Sequence, residues 1–235
     1  MSQRWIIPDI HGCQKTLQFL LENTLKVTKH DQLYFLGDYI DRGPDGKGVI
    51  DYLMRLQKEE YEVHFLKGNH EDMCVAAFQA DQKKRLFGKH PEQKEWEAVG
   101  AKTTLDSFGV KHPREIPQLY IDWMNACLPY IELENYILVH AGLNFNAENP
   151  FEDEHSMMWT RKFKVDFNKS HGKKVIHGHI PVEYSFISLV LENNDNYDFI
   201  CLDNGVYVTD KPGLGNLMAF NPDTKQLMVQ SNMDM

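Results

Sequence analysis

Residues 33–43 read Leu33, Tyr34, Phe35, Leu36, Gly37, Asp38, Tyr39, Ile40, Asp41, Arg42, Gly43. Four apolar residues predict a short buried strand, and a glycine-bounded turn then delivers two carboxylates and a guanidinium. Charged groups crowded at the end of a buried strand are an uneconomical use of sequence unless they face a ligand. The same pattern recurs on either side. Residues 4–10 read as a strand ending at Pro8, Asp9, Ile10, His11 and Gly12, and residues 63–66 as a strand ending at Gly68, Asn69, His70 and Glu71.

Between these strands the apolar residues change period. Leu17, Leu20, Leu21 and Leu25 recur at helical spacing, as do Val49, Ile50, Leu53, Met54 and Leu56, and a third helix is expected over Val75 to Phe78. Strand, helix, strand, helix, strand in units of about 30 residues predicts βαβ units and a parallel sheet. Ligands in such sheets bind beyond the carboxyl ends of the strands, so the three polar clusters should converge on one rim. If the first strand continues past Pro8, Asp9 and His11 project to one face.

Residues 81–128, with Lys83, Lys84, Arg85, Trp96, Gly100, Thr103 and Thr104, lack strand character and read as a mostly helical insertion beside the rim, a place for substrate selection. Glu115 to Cys127 should be helical, with Pro117 confined to its first turn. Strands are then expected at Tyr130–Leu133 and Tyr136–Val139 as a hairpin, at Lys174–Ile176, Ser185–Leu191 and Tyr197–Leu202, and in a closing hairpin from Leu217 to Val229. The second half therefore reads as a second sheet packed on the first, the whole being one α/β domain over 1–235.

The 235 residues suffice for a sizeable core, and 42% hydrophobic with 25% charged residues is ordinary for a soluble globular chain. A formal charge of −9 argues against general nucleic-acid binding, so an anionic substrate needs a locally positive site. Three apolar residues before Asp9 are too few for a signal-peptide core, and no apolar run is long enough to span a bilayer; the expectation is a cytoplasmic protein without membrane contact, monomeric or weakly oligomeric. Cys13, Cys74, Cys127 and Cys201 lack metal or disulfide spacing and read as buried reduced thiols.

Asp9, His11, Asp38, Asn69, His70, His140, and His177 with His179 all stand at predicted strand ends. Imidazole, carboxylate and amide oxygen together suit mid-row divalent ions. The set exceeds one open site, and Asp38 on the middle strand could bridge two ions roughly 3.5 to 4 Å apart. Two dications outweigh Asp9, Asp38 and a hydroxide, and with Arg42 they could hold a phosphate. Singly, each piece has an ordinary alternative: Asn69 could cap a helix, His140 could be a core histidine, Asp9 and Gly12 could make a turn.

Taken jointly, Asp9 to Gly12, GDYIDRG at 37–43, GNHE at 68–71, HAG at 140–142 and the Gly178, His179, Ile180, Pro181 step resemble the metallophosphoesterase superfamily, in particular phosphoprotein phosphatases of the bacterial and phage type. The resemblance covers residues 9 to about 205. It implies a two-sheet α/β sandwich flanked by helices, with two divalent ions, manganese first and iron or zinc as alternatives. Asp9, His11 and Asp38 would hold one ion; Asp38, Asn69, His140 and His179 the other, with His177 structural. Arg42 and Arg161, the latter in Trp159, Thr160, Arg161, would grip phosphate, and His70 backed by Asp41 would be the general acid. A hydroxide between the ions would attack phosphorus in line. The implied substrates are phosphoserine and phosphothreonine in proteins or peptides. The rival is a dinucleoside polyphosphate hydrolase, which Asp41 disfavours because such relatives tend to lack an acid there; a non-catalytic scaffold is a more distant one. Pro8, Gly100 with Ala101, and Asp203, Asn204, Gly205 depart from the family pattern.

Overall fold

The computed structural model describes residues 2–83 and 88–235. Lys84 and Arg85 of the insertion lie outside them.

Three short strands, β1 (Arg4–Ile7), β2 (Gln32–Phe35) and β3 (Glu62–Phe65), pair in parallel in the order β3-β2-β1. They alternate with helices α1 (Gln14–Phe19, continued by a π turn over Leu20–Leu25), α2 (Gly46–Lys58) and α3 (Asn69–Asp81). In α2 the Asp45 carboxylate accepts from the Gly48 N–H at 2.8 Å, closing the first turn. The helical insertion contains α4 (Pro91–Ala98), α5 (Ala101–Phe108) and α6 (Gln118–Asn125), with Pro117 at the N-cap of α6. A hairpin of β4 (Tyr130–Glu132) and β5 (Tyr136–Val139) follows, then α7 (Glu154–Trp159), β6 (Lys174–His177), α8 (Tyr184–Glu192), β7 (Phe199–Cys201), β8 (Asn216–Phe220) and β9 (Leu227–Ser231).

The strand alternation separates two cores. Trp5, Ile7, Leu33, Phe35, Leu217 and Ala219 face the helices α1 to α6, whereas Ile6, Tyr34, Leu36, Met218 and Phe220 face the second sheet, β4-β5-β6-β7, and meet Leu138, Ile176 and Ile200 there. The result is an α/β sandwich of two mixed sheets with helices outside.

Three expectations change. β1 stops at Ile7, because Pro8 has no N–H to continue the ladder, so Asp9 and His11 are brought together by a loop and not by strand alternation. Residues 185–191 form helix α8, not a strand: Ile187 and Val190, three apart, are buried while Leu189 is 47% exposed, which is the periodicity of a helix face. The β-branched content of this run is what reads as strand. The closing hairpin joins the first sheet, β8 lying antiparallel to β1 through Ile6 and Phe220, because its alternating apolar residues complete that sheet's two faces.

Candidate active site

The loops after β1, β2 and β3 are tied into one body by backbone hydrogen bonds. The Asp38 carbonyl accepts from the N–H groups of Ile10 (3.0 Å) and His11 (2.9 Å), and the His11 carbonyl accepts from Gly43 N–H at 2.9 Å. Glu71, on the first turn of α3, is the other tie. Its Oε1 accepts from Tyr39 N–H at 2.8 Å, and its Oε2 from Asp38 N–H at 2.8 Å and Gly68 N–H at 3.0 Å. Burial and the Asp38 charge push the Glu71 carboxyl up while these donors pull it down. The close approach is possible because residue 68 is glycine; a Cβ there would land on the Asp38 carboxylate.

This packing holds His11, Asp38, Asp41, Arg42 and His179 at positive φ, between 45° and 71°. Backbone of this kind costs about 1–3 kcal/mol per residue and persists where the surroundings over-determine it. The strain is concentrated where the polar side chains converge.

Asp38 is buried at the centre and faces two groups of donors. Its Oδ2 lies 3.6 Å from His11 Nε2 and 3.9 Å from His70 Nε2, and its Oδ1 lies 3.5 Å from His140 Nε2. On the second side Asn69 Oδ1 is 3.1 Å from both His140 Nε2 and His179 Nδ1. His11 Nδ1–H donates to the Ile40 carbonyl at 3.0 Å and His140 Nδ1–H to the Leu36 carbonyl at 2.9 Å, which leaves each Nε2 as a lone pair aimed into the cluster. Lone pairs of imidazole, carboxylate and amide oxygen directed at one another repel unless a cation lies among them. Two groups, His11 with Asp38 and His70, and Asp38 with His140 and His179, bring their donor atoms within 4.8 Å of one another. The residues therefore fit a pair of divalent ions about a shared Asp38. Asp9 stands beside them, buried, both carboxylate oxygens accepting from the His179 N–H at 2.9 and 3.1 Å.

The four histidines divide electrically. Burial, reinforced by His70 and Arg42, holds His11 well below its usual value. Burial brings His140 to about 4 despite Asp38, and His179 to about 4 with help from Arg161. These three are neutral imidazoles at pH 7, as ligands must be. His70 goes the other way: burial lowers it, but Asp38 and the Asp41 hydrogen bond outweigh burial and raise it. His70 Nδ1–H donates to Asp41 Oδ2 at 2.7 Å, so its Nε2, 3.5 Å from Arg42 Nη2, is the atom that can present a proton to the cluster.

The insertion supplies what sequence reading misses. Trp96 Nε1–H donates to Asp41 Oδ2 at 2.7 Å; Thr104 Oγ1–H donates to Asp41 Oδ1 at 2.5 Å and accepts from the Asp41 N–H at 2.9 Å. Both residues are fully buried. Their partner lies 55 and 63 residues away, so no local spacing could reveal the contact. Tyr207 is a second addition, its hydroxyl bonded to Arg42 Nη1 and its ring set edge-on to His11. Asp203, noted in the sequence only as part of a departure from the family pattern, also joins the site: it is buried, burial pushes it up to about 7, and its charge adds to the burial that raises Asp9.

The expected residues Asp9, His11, Asp38, Asp41, Arg42, Asn69, His70, His140 and His179 are thus brought together. Arg161 is adjacent but exposed, acting on the cluster through its charge on His179. His177 turns away: its Nδ1–H meets the Gly178 carbonyl at 3.0 Å and its ring packs on Phe163 and Phe199.

Replacing Trp96 by phenylalanine keeps the bulk and removes one donor from a buried carboxylate, an interaction worth about 1.5–3 kcal/mol. The expected outcome in steady-state kinetics on an alkyl phosphate is a kcat lower by about tenfold with KM unchanged. A variant that melts lower but keeps its kcat would leave Trp96 as packing alone.

A cation-ready carboxylate flanked by neutral histidines, beyond the ends of parallel strands in a two-sheet sandwich, defines a metallophosphoesterase centre. The chain belongs to the calcineurin-like phosphoesterase family, whose sequence profile matches residues 4–209. It is similar to the asymmetrical bis(5'-nucleosyl)-tetraphosphatase of Oceanobacillus iheyensis, 29% identical over 151 residues, 59% of this chain and 55% of that protein. The match thus spans about half of that relative's length. It is also similar to serine/threonine-protein phosphatase 1 of Salmonella typhimurium, 37% identical over 73 residues, 31% of this chain and 32% of that protein. Among solved structures, a metallophosphoesterase from Sphaerobacter thermophilus superimposes with a TM-score of 0.56 at 14% identity, covering 98% of this chain and 87% of that one. Among the described residues no helix is long and apolar enough to cross a membrane.

Proposed function

We propose that the chain is a metal-dependent hydrolase of dinucleoside polyphosphates of the diadenosine tetraphosphate class, which replaces the phosphoprotein substrate expected from the motifs alone. The observation that carries the hydrolase reading is the division of the site into a ligand cluster about Asp38 and a separate acid, His70, held by Asp41. The similarity to bis(5'-nucleosyl)-tetraphosphatases supports the substrate.

Asp9, His11 and Asp38 would hold one divalent ion, and Asp38, Asn69, His140 and His179 the other. Such ions supply Lewis-acid activation of water and neutralise phosphate charge. The protein's own groups do the rest. Arg42, steadied by Tyr207, orients a phosphoryl group and stabilises charge on its oxygens. His70 Nε2–H delivers a proton to the departing oxygen as the phosphorus–oxygen bond breaks, while Asp41 holds the Nδ1–H and compensates the imidazolium charge. Water adds its hydroxyl to phosphorus, and its other proton leaves to solvent.

A phosphoserine or phosphothreonine phosphatase is the second reading. The His70–Asp41 pair favours it, since a seryl alkoxide is a far more basic leaving group than a nucleotide phosphate and has the greater need of an acid. Parallel assays of the manganese-loaded chain on diadenosine tetraphosphate and on a phosphothreonine peptide decide between them. The expected result is a kcat/KM at least about tenfold higher for the dinucleotide. A reversed ratio would overturn the first reading in favour of the second.

A further inference from the structure

Residues 161–164 read Arg161, Lys162, Phe163, Lys164, three cations in four residues of a chain whose formal charge is −9. All three cations are exposed, and among the described residues none enters an ion pair. The segment has no regular secondary structure, and its residues 162–164 form one wall of a cavity of about 530 Å³. Lys162, Phe163 and Lys164 line it together with Asn144, Phe145 and Asn146.

Both walls lead back toward the ligand residues, one through His140 and the other past Arg161, whose charge acts on His179. One is the continuation of β5 through His140, Ala141 and Gly142, held where the Ala141 N–H donates to the Met157 carbonyl at 2.7 Å. The other begins beside Arg161. The walls meet at Gly142, where a Cβ would strike the Phe163 ring and the Thr160 methyl. The Phe145 and Phe163 ring centroids are 6.3 Å apart at an interplanar angle of 37°, an aromatic pair next to the Asn146 amide and two ammonium groups, the Asn144 amide being held by Asp153 and the Asn146 N–H.

The volume falls within the range of about 300–1,000 Å³ typical of small-ligand sites. An aromatic surface, amide donors and acceptors, and flanking cations are the chemistry that recognises a planar heterocycle joined to a polyanion. We infer that this cavity is the subsite for the distal nucleoside of a dinucleoside polyphosphate, with the base on Phe145 and Phe163 and the phosphate chain passing Lys162 and Lys164 toward the metal cluster. The inference rests on the dinucleotide reading and deepens it, since it explains how an acidic chain selects a long polyanion over a single phosphate ester.

The test uses the manganese-loaded full chain, the double variant Lys162→Ala with Lys164→Ala, and Phe145→Ala. Three quantities are measured: KM for diadenosine tetraphosphate, KM for para-nitrophenyl phosphate, and calorimetric binding of ATP. The expected result is a KM for the dinucleotide raised by about tenfold in either variant, ATP affinity weakened to match, and a KM for the aryl phosphate, which carries neither a second nucleoside nor a phosphate chain, moved by less than about twofold. Dinucleotide hydrolysis with an unchanged KM in both variants would overturn the subsite and leave the activity standing. Lysine-dependent ATP binding without dinucleotide hydrolysis would keep a nucleotide subsite and overturn the activity. Equal KM shifts on both substrates would show a general loss of the site and overturn the subsite. An effect confined to a phosphopeptide substrate would assign the cavity to peptide instead.

Discussion

Replacing His70 by asparagine is expected to lower kcat on an alkyl phosphate by on the order of 10³-fold, about 4 kcal/mol of transition-state stabilisation. The loss should shrink by about tenfold or more on para-nitrophenyl phosphate, whose phenolate departs without a proton, and diadenosine tetraphosphate should fall nearer the aryl ester. Metal content measured by elemental analysis should stay at the unmodified level, because His70 Nε2 is 3.9 Å from Asp38 Oδ2 and its Nδ1 is committed to Asp41. This outcome distinguishes an acid from a ligand. His70 also lies close enough to His11 and Asp38 to be counted among their donor atoms, so loss of bound metal, or an equal loss on both esters, would remove the general-acid role.

Asp38→Asn should have the second large effect. Asp38 is shared by both groups of atoms that could hold a metal ion, and asparagine preserves its shape while removing the charge that faces both. Turnover on every phosphate ester should fall by at least about 10³-fold, with metal bound per chain reduced toward zero after gel filtration. Stability under chelation should move the other way. Burial raises Asp9, Glu71 and Asp203, and the Asp38 charge adds to each of these shifts. Removing that charge relieves the repulsion when no cation compensates it, so in excess chelator the variant should melt a few degrees above the unmodified chain, at about 2–4 °C per kcal/mol for a chain of this size. Retention of metal at full stoichiometry, or a lower melting temperature in chelator, would contradict the shared-carboxylate arrangement.

Much of the site is legible in the sequence because its chemistry is local. A parallel βαβ sheet exposes its strand ends on one rim, so each short polar cluster after an apolar run, Asp9 with His11, Asp38 with Asp41 and Arg42, Asn69 with His70, can be placed without knowing any contact between them. The change from helical to alternating spacing likewise locates α1, α2 and α3. Residues 185–191 mislead because a run rich in Ile, Leu and Val looks much the same as a buried strand or as one face of a helix; the burial of Ile187 and Val190 with exposure of Leu189 decides between them. The closing hairpin is correctly read as a hairpin, but alternation cannot say which of two sheets it joins.

What the sequence determined by itself is the inventory: a carboxylate, imidazole and amide set suited to divalent ions, with a further histidine, carboxylate and arginine at the same strand ends. The tertiary structure decided how these groups are held. Glu71 gathers the N–H groups of two loops, Trp96 and Thr104 clamp Asp41 from the insertion, five site residues are kept in left-handed backbone, and Arg161 is left exposed beside the cluster. The physical reason is range. Spacing along the chain records which side chains share a strand end or a helix face, whereas a hydrogen bond between residues 55 or 63 apart depends on where two packed layers bring their surfaces.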